Sequence, residues 1–269
     1  MRILRTALMA AAMVMIAAPA YADMATAQAA YADGDFTEAL DLWRSEASAG
    51  NADAAWYVGN MYVDGLGIDE PDEEEAVIYY QLAIDQDHVE ALVSLGLLYA
   101  QGRGIDQDYH AAMDLLYAAA LQDHAVAQVE LANHFLYGVP GLVEQSPGHA
   151  FEWYGLASLQ GVVLAQYRLA EMNFQGIGAP QNMEEGLMWL SIARDVALTQ
   201  QEPYWSYRVF PLDAELIGTD GGTDNGAATL RAAVNILYDD YSRQMAPEAV
   251  ERAETAARQW IGEHSGSTD

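Results

Sequence analysis

Two stretches of the sequence, Ala54–Gly67 (AAWYVGNMYVDGLG) and Ala91–Gly104 (ALVSLGLLYAQGRG), share one pattern of small, apolar and glycine positions. Further copies begin at Ala127 and Ala165, so the steps between copies are 37, 36 and 38 residues. Four positions after the first Ala, each copy has an apolar residue: Val58, Leu95, Leu131 and Leu169. Five positions after it, each copy has a small residue: Gly59, Gly96, Ala132 and Ala170. Eleven positions after it, each copy has a glycine: Gly65, Gly102, Gly138 and Gly176. Internal repetition at this period is typical of solenoid proteins, in which each structural unit stacks on the next.

Each copy is followed by a second stretch with helical periodicity. Its small and apolar residues fall at i, i+3, i+4 and i+7, which lie on one face of an α-helix. These residues are Ala76, Tyr79, Tyr80 and Ala83; Ala112, Leu115, Leu116 and Ala119; Ala150, Trp153, Tyr154 and Ala157; and Gly186, Trp189, Leu190 and Ala193. Small residues let two helices approach closely, and each helix pair needs its neighbours to bury its apolar face. The sequence therefore predicts an all-α fold, an α-solenoid of stacked helix-turn-helix repeats with C-terminal capping helices.

Turn chemistry sets the predicted boundaries. The closing glycines suit the left-handed turn after a first helix, and Asp72, Asp108 and Asn182 offer side-chain acceptors that cap the second helices. The predicted organisation is a repeat solenoid at 23–198, with a partial leading unit at 29–53 and repeats near 54–90, 91–126, 127–164 and 165–198. Residues 199–269 are predicted to form an insertion loop at 199–226 and then C-terminal capping helices. The first of these spans 227–243, and the second spans about 245–260 with Pro247 near its start.

The segment 1–22 has the features of a cleavable signal peptide. Arg2 and Arg5 give a basic start, Ala7–Ala18 is an unbroken apolar stretch, and the tripeptide AYA ending at Ala22 is a small-x-small cleavage site. The apolar stretch is shorter than the roughly 20 residues that span a bilayer; a retained anchor helix is the alternative. No Cys exists to carry a lipid. The mature chain is predicted to be periplasmic or secreted, with no stable membrane anchor.

The composition is strongly acidic. The chain has 40 Asp and Glu residues against 11 basic ones, all of them Arg, and a formal net charge of −29. Such a surface repels phosphate backbones, which argues against nucleic acid as a partner. A soluble, salt-tolerant surface is favoured over a dedicated cation site. Because there is no Cys, disulfides, thiol catalysis and thiolate metal sites are excluded.

The paired helical stretches resemble the Sel1-like repeat family, which is related to the tetratricopeptide repeats. The family pattern is roughly LG-x-LY-x2-G-x-G, a polar turn, and then A-x2-WY-x2-A. The segment LGLLYAQGRG at 95–104 matches the first part closely, and Trp153-Tyr154 with Ala157 matches the second. The third and fourth copies depart from the pattern by using Ala where the family has Gly. The resemblance covers about residues 29–197 and implies a scaffold that binds other proteins.

No catalytic, cofactor or metal site is predicted. His88 and His124 lie at equivalent repeat positions, which favours turn residues over ligands, and the remaining histidines lack the spacing of metal ligands: His110, His134, His149 and His264. Neither a Gly-x-Ser-x-Gly nor a Gly-Lys-Ser/Thr motif occurs. The acidic run Asp69–Glu75 and the loop from Asp220 to Asp224 have calcium sites as alternatives, but a solvated helix start and a polar turn are favoured.

A binding surface is predicted on the first helices, which line one side of a solenoid. We number the residues of each copy by their offset from its first Ala, which is offset 0. Offsets 0, 4, 5 and 8 are used for packing, and offsets 2, 3 and 6 are predicted to face a partner-binding groove. These residues are Trp56, Tyr57 and Asn60; Val93, Ser94 and Leu97; Val129, Glu130 and Asn133; and Tyr167, Arg168 and Glu171. Aromatic residues and Arg are enriched at binding hot spots. The alternative for Trp56 and Tyr57 is packing under the leading unit.

These features together predict an exported scaffold or adaptor that holds a protein or peptide partner and is not an enzyme. Two alternatives stay open. One is a cell-wall or β-lactam hydrolase, because some cysteine-rich members of the Sel1-like repeat family, which the chain resembles, are linked to penicillin binding. The absence of Cys weakens this alternative. The other is a structural component of an envelope or polysaccharide-export assembly.

Signal cleavage is directly testable. We expect the exported chain to begin at Asp23, because small side chains at the AYA site fit a signal peptidase. Intact-mass measurement and N-terminal sequencing of protein recovered from the periplasm or medium check this. The Ala20→Leu, Ala22→Leu variant should remain uncleaved; a variant chain that still begins at Asp23 would contradict the assignment.

Overall fold

The computed structural model describes residues 20–139, 141, 143–199 and 225–264. This part of the chain contains twelve α-helices and one isolated bridge, between Val139 and Val143. The helices are α1 (Ala20–Asp33), α2 (Phe36–Ser48), α3 (Ala52–Asp64), α4 (Glu73–Ile84), α5 (Val89–Gln101), α6 (Tyr109–Ala120), α7 (Ala125–Tyr137), α8 (Pro147–Leu159), α9 (Val163–Gln175), α10 (Met183–Thr199), α11 (Asn225–Ser242) and α12 (Pro247–His264). The predicted all-α repeat fold is confirmed. Most of the predicted signal segment and of the insertion at 199–226 lies outside the described residues.

The chain divides into two compact units, Met1–Asp87 and His88–Asp269. In the first unit, α1 packs on α2, α2 on α3 and α3 on α4. In the second unit, each helix from α5 to α9 packs on the next one, and α10 also contacts α11 and α12. Each repeat helix is thus buried by its sequence neighbours, as the repeat pattern predicts.

The small residues of the repeat lie where paired helices meet. Gly59 on α3 faces the ring of Tyr80 on α4: a Cβ on Gly59 would lie 2.5 Å from Tyr80 Cε1, closer than real Cβ contacts come. Ala132 and Ala170, at the equivalent position, are fully buried. The small residues of the second helices are buried in every repeat as well. The predicted packing faces are confirmed.

The predicted helix ends are also confirmed at most positions. The carboxylates of Asp72 and Asp108 accept hydrogen bonds from the backbone N–H groups of the first turns of α4 and α6. Asn182 does the same for α10, with its Oδ1 3.1 Å from the backbone nitrogen of Glu185. Gly65, Gly102 and Gly176 end their helices with left-handed backbone. Gly138 departs, with φ 73° and ψ 160°, because the chain there turns into the Val139–Val143 bridge.

The C-terminal helices pack on the last repeat. The Tyr241 ring on α11 stacks on Phe174 of α9 with ring centroids 3.6 Å apart, and Trp260 on α12 meets Trp189 of α10 edge to face. The predicted C-terminal capping helices are present as α11, which begins at Asn225, and α12, which begins at Pro247. Of the helices in the described part, none is long and apolar enough to cross a membrane.

Gly67 provides a test of how closely the turns pack. Its φ is +76°, and a Cβ there would lie 2.5 Å from the carbonyl oxygen of Phe36 at the start of α2. We expect Gly67→Ala to lower the free energy of unfolding by more than the roughly 1–2 kcal/mol that left-handed backbone alone costs, because the carbonyl moves only if α2 shifts. Urea unfolding measures the loss.

Gly34→Ala is the matched control in the same unit. Its φ is +86°, and within the described residues no atom beyond its chain neighbours lies within 4 Å of a Cβ built there. The free energy of unfolding of this variant should therefore fall only by the cost of placing Ala in left-handed backbone. Equal losses in the two variants would contradict the close packing of Gly67.

Candidate partner-binding surface

In the first unit, the predicted groove residues form an aromatic cluster with the leading helix pair. Tyr57 stacks on Trp43 of α2, with centroids 4.7 Å apart and an interplanar angle of 12°, and also contacts Trp56 at 5.0 Å. Both Trp56 and Tyr57 remain partly exposed. Asn60 instead points to its own second helix, where its Oδ1 accepts a hydrogen bond of 2.8 Å from the Tyr80 hydroxyl. The Trp43 contact agrees with the alternative in which Tyr57 packs against the leading unit.

In the second copy, the three predicted residues differ in exposure. Val93 is buried in the cluster formed by α5, α6 and α7, and Leu97 packs against that cluster while partly exposed. Ser94 Oγ donates a hydrogen bond of 3.1 Å to the carbonyl oxygen of Glu90, one helical turn earlier. Leu97 and Ser94 therefore retain some accessible surface, and Val93 belongs to the core.

In the third copy, all three predicted residues are buried: Val129, Glu130 and Asn133. Asn133 accepts a hydrogen bond from the Tyr154 hydroxyl of its own second helix, the same contact that Asn60 makes in the first unit. Side chains with this little exposure present no surface to a partner in this structure. That all twelve predicted groove residues contact a partner remains a prediction.

In the fourth copy, the structure brings the three predicted residues together around one carboxylate. Glu171 accepts a hydrogen bond of 3.2 Å from the Tyr167 hydroxyl at Oε1 and one of 3.0 Å from Arg168 Nη1 at Oε2. The Arg168 and Glu171 side chains are 15% and 25% exposed, so the ion pair lies at the edge of the core and remains accessible. Arg168 Cζ also lies 6.0 Å from the centre of the Tyr167 ring.

The ionisation of Tyr167 follows from this arrangement. Burial raises the pKa of the Tyr167 phenol, the Glu171 carboxylate raises it further, and Arg168 opposes the rise. Tyr167 is thus a neutral hydroxyl that donates to Glu171 at any physiological pH. Tyr137, the last residue of α7, also raises this pKa and is exposed. We call Tyr137, Tyr167, Arg168 and Glu171 the Arg168 cluster.

Tyr137 was not identified from the repeat pattern as a site residue. It lies ten positions after the first Ala of its copy, just before the closing Gly. The equivalent residues of the other copies are polar: Asp64, Gln101 and Gln175. An aromatic residue at a position that is otherwise polar is the signal that could have identified it.

Two of the histidines cap helices. His88 and His124 cap α5 and α7, where each Nδ1 accepts a hydrogen bond from the backbone N–H of Ala91 or Ala127, at 3.2 and 3.3 Å. The residues before them, Asp87 and Asp123, have positive φ, as turn residues do. Their predicted role as turn residues is therefore confirmed. Across the described residues, no group of three or more His, Asp or Glu side chains is arranged to hold a metal ion.

The acidic run before α4 has the placement of a helix start. Asp72 caps the helix, and Glu73, Glu74 and Glu75 form its first turn, where carboxylates interact favourably with the helix dipole. The second predicted acidic loop, from Asp220 to Asp224, lies outside the described residues.

The fold and the repeat positions agree with one known family. The sequence profile of the Sel1 repeat matches four segments, residues 52–88, 89–124, 125–162 and 163–195, which together cover more than half of the 269 residues. The chain belongs to the Sel1 repeat family. Each matched segment begins two residues before a predicted repeat start.

Curated relatives and a solved structure share these repeats. A chitin synthase regulator of Malassezia restricta is 32% identical over 108 residues, which are 40% of this chain and 8% of that protein. An exopolysaccharide production negative regulator of Rhizobium leguminosarum bv. viciae is 28% identical over 165 residues, 61% of this chain and 52% of that protein. The crystal structure of a Sel1 repeat protein from Oxalobacter formigenes has a TM-score of 0.56 and 26% identity, covering 64% of this chain and 48% of that one. The chain thus spans about half or less of each of these proteins.

The cap formed by His124 predicts a pH-dependent contribution to stability. Burial lowers the pKa of His124 below its ordinary value of 6.5, with Glu90 opposing and His88 adding to the decrease. At a pH between the pKa of His124 in the folded chain and its ordinary value in the unfolded chain, the unfolded chain binds more protons than the folded one. The free energy of unfolding therefore falls as pH drops below about 6.5. Protonation of Nδ1 removes the cap, which is worth about 1 kcal/mol.

The control for this prediction is built into the repeat. His124→Asn keeps a capping acceptor, because Asn51 caps α3 at the equivalent position, but it removes the titrating group. Urea unfolding at pH 7.5 and 5.5 should show a smaller loss for the variant than for the natural chain. Burial lowers the pKa of His134 too, and that contribution is common to both proteins. Identical losses would show that the His124 cap does not titrate.

Proposed function

We propose that this protein is an exported, non-enzymatic adaptor that binds a protein or peptide partner through the first helices of its repeats. Membership of the Sel1 repeat family supports this role, because Sel1 repeats mediate protein–protein interaction, and the curated relatives carry names of regulators. The basic start, apolar stretch and AYA site at the beginning of the sequence support export.

The observation that carries the proposal is the Arg168 cluster. Its accessible members, Arg168 and Tyr137, are of the residue types that dominate binding hot spots, whereas the Tyr167 ring is buried. The carboxylate of Glu171 holds both the Tyr167 hydroxyl and the Arg168 guanidinium through hydrogen bonds. A side chain that is already ordered loses less conformational entropy when a partner binds. The cluster is therefore the proposed anchor point for the partner.

The names of the relatives favour one context for this adaptor. Two of the proteins similar to this chain are called regulators of polysaccharide production or of a polysaccharide synthase: the exopolysaccharide negative regulator and the chitin synthase regulator. We propose a regulatory role in the production of an envelope or extracellular polysaccharide, through a protein partner. This role overlaps with the alternative from the sequence, in which the protein is a structural component of an envelope or polysaccharide-export assembly.

Cross-linking in intact cells, followed by identification of the bound protein, tests the adaptor role. We expect Arg168→Ala to reduce the yield of the cross-linked partner at least tenfold, with far-UV circular dichroism unchanged, because Arg168 is at the edge of the core. Tyr167→Phe, which removes the hydroxyl and keeps the buried ring, should reduce the yield severalfold. Tyr167→Ala is unsuitable because this ring belongs to the core of the second unit.

Arg103→Ala is the matched control for Arg168→Ala. Arg103 is exposed after α5, so its removal makes the same change in net charge away from the cluster. Capture should be unaffected by the control. Capture that survives Arg168→Ala intact would reject the cluster as the anchor, and turnover of peptidoglycan fragments by the purified protein would favour the hydrolase alternative.

A further inference from the structure

Glu46 is a buried carboxylate at a position where the other repeats carry alanine. It lies on α2, seven residues after Ala39, and the equivalent residues of the later second helices are all fully buried: Ala83, Ala119, Ala157 and Ala193. Glu46 itself is 4% exposed. Within the described part of the chain, its Oε2 has no hydrogen-bond partner. Because burial of a carboxylate without a partner is costly, packing alone does not explain this residue.

The Glu46 side chain is directed toward α1, the first helix of its own pair. The corresponding contact is seen in a later repeat, where a Cβ built on Gly96 of α5 would lie 3.3 Å from the Ala112 carbonyl oxygen and 3.6 Å from Leu115 Cβ on α6. Ala119 follows Ala112 by seven residues and Leu115 by four, so it lies on the same face of α6. Glu46 occupies the equivalent position of α2 and therefore faces α1.

The residue of α1 that lies level with Glu46 is Asp23. Helices α1 and α2 pack on each other and are joined by a two-residue turn, 34–35, so they run antiparallel. Asp23 lies ten residues before the end of α1 at Asp33, and Glu46 lies ten residues after the start of α2 at Phe36. At a rise of about 1.5 Å per residue, both lie about 15 Å from the turn. The backbone nitrogen of Asp23 and the Glu46 carboxylate are therefore at the same height of the helix pair.

Signal cleavage creates a charge at this height. Hydrolysis of the peptide bond between Ala22 and Asp23 consumes one water molecule. It leaves a carboxylate on Ala22, which departs with the signal segment, and an α-ammonium group on Asp23. In the uncleaved chain the same nitrogen is an uncharged amide. An ammonium group offers the opposite charge and the N–H donors that a buried carboxylate requires.

We propose that Glu46 is the counter-ion of the Asp23 ammonium group, and that signal cleavage thereby fixes α1 onto the first unit. This inference rests on the proposed export and on cleavage after Ala22. Before cleavage, the Glu46 carboxylate is buried without a partner, which lowers the stability of the leading helix pair. After cleavage, the ion pair joins α1 to α2. The leading helix pair thus reaches its full stability only in the processed chain.

The pKa of the α-amino group is the direct measurement, made on the chain that begins at Asp23. Reductive methylation with isotope-labelled formaldehyde marks this group alone, because the sequence contains no Lys, and NMR titration of the methyl signals gives the pKa. We expect a pKa of about 9 or higher, against about 7.7–8.0 for an ordinary α-amino group. Glu46→Gln should return the pKa to about 8.

Glu38→Gln is the matched control, because it removes the same charge from an exposed position in the first turn of α2. This variant should keep the raised pKa of the α-amino group. The Asp23 carboxylate is present in all of these chains, so the difference between the two variants reports the Glu46 carboxylate. An ordinary pKa in the natural sequence, or the same pKa in both variants, would overturn the ion pair.

Acetylation of the Asp23 amine gives a second readout, in which an ion pair and a free helix end differ in sign. Removal of the positive charge from a free helix N-terminus favours the helix. Here acetylation should instead lower Tm by about 2–4 °C, because it leaves the Glu46 carboxylate without its counter-ion. In Glu46→Ala, which has the residue of the other repeats, acetylation should not lower Tm. A higher Tm after acetylation of the natural sequence would contradict the proposal.

The ion pair and the export step are tested separately. The titration uses a chain prepared to begin at Asp23, whereas N-terminal sequencing of the exported protein tests cleavage after Ala22. An ordinary α-amino pKa in a chain that the cell does cleave would reject the ion pair and leave export intact. A chain that the cell does not cleave after Ala22 would reject the link to processing.

Discussion

The structure depends on how closely the two helices of a repeat approach each other, and small residues at the contact allow this approach. In the first and fourth repeats the small residue is a glycine that lies against an aromatic ring. In the first repeat the glycine is on the first helix, where Gly59 lies against Tyr80. In the fourth repeat the glycine is on the second helix, where Gly186 lies against Phe174 of the first helix. A Cβ on Gly186 would lie 2.6 Å from the Phe174 ring. Either helix can therefore supply the glycine, because close packing depends on the combined volume of the two side chains at the contact.

A hydrogen bond across the helix pair follows the same logic and explains where the candidate site arises. The two copies with Tyr in the middle of the second helix, Tyr80 and Tyr154, have Asn at offset 6 of the first helix to accept from its hydroxyl. The fourth copy has Leu190 on the second helix. Its offset-6 residue, Glu171, has no hydroxyl there to accept from and instead binds Tyr167 and Arg168. The Arg168 cluster thus needs both the absence of a Tyr on the second helix and the presence of Tyr167 and Arg168 beside Glu171.

The Arg168 cluster is polar and is held together by the ion pair between Arg168 and Glu171, whose side chains are partly exposed. The high acidity of the chain adds selectivity, since like charge suppresses unsuitable partners and opposite charge accelerates encounter.

The amino-acid sequence by itself determined the helix pairs, their order, most of their caps and their packing faces. These features depend on local propensity and on a period that recurs four times, so each position is constrained by its equivalents. Tertiary structure decided which of the remaining positions are accessible. Offset 6 faces the second helix when a Tyr hydroxyl is present there, and Glu130 is buried although its side chain is ionisable. Tyr137, on another helix, acts electrostatically on Tyr167. Accessibility arises from contacts between residues distant in sequence, which a repeat pattern does not encode.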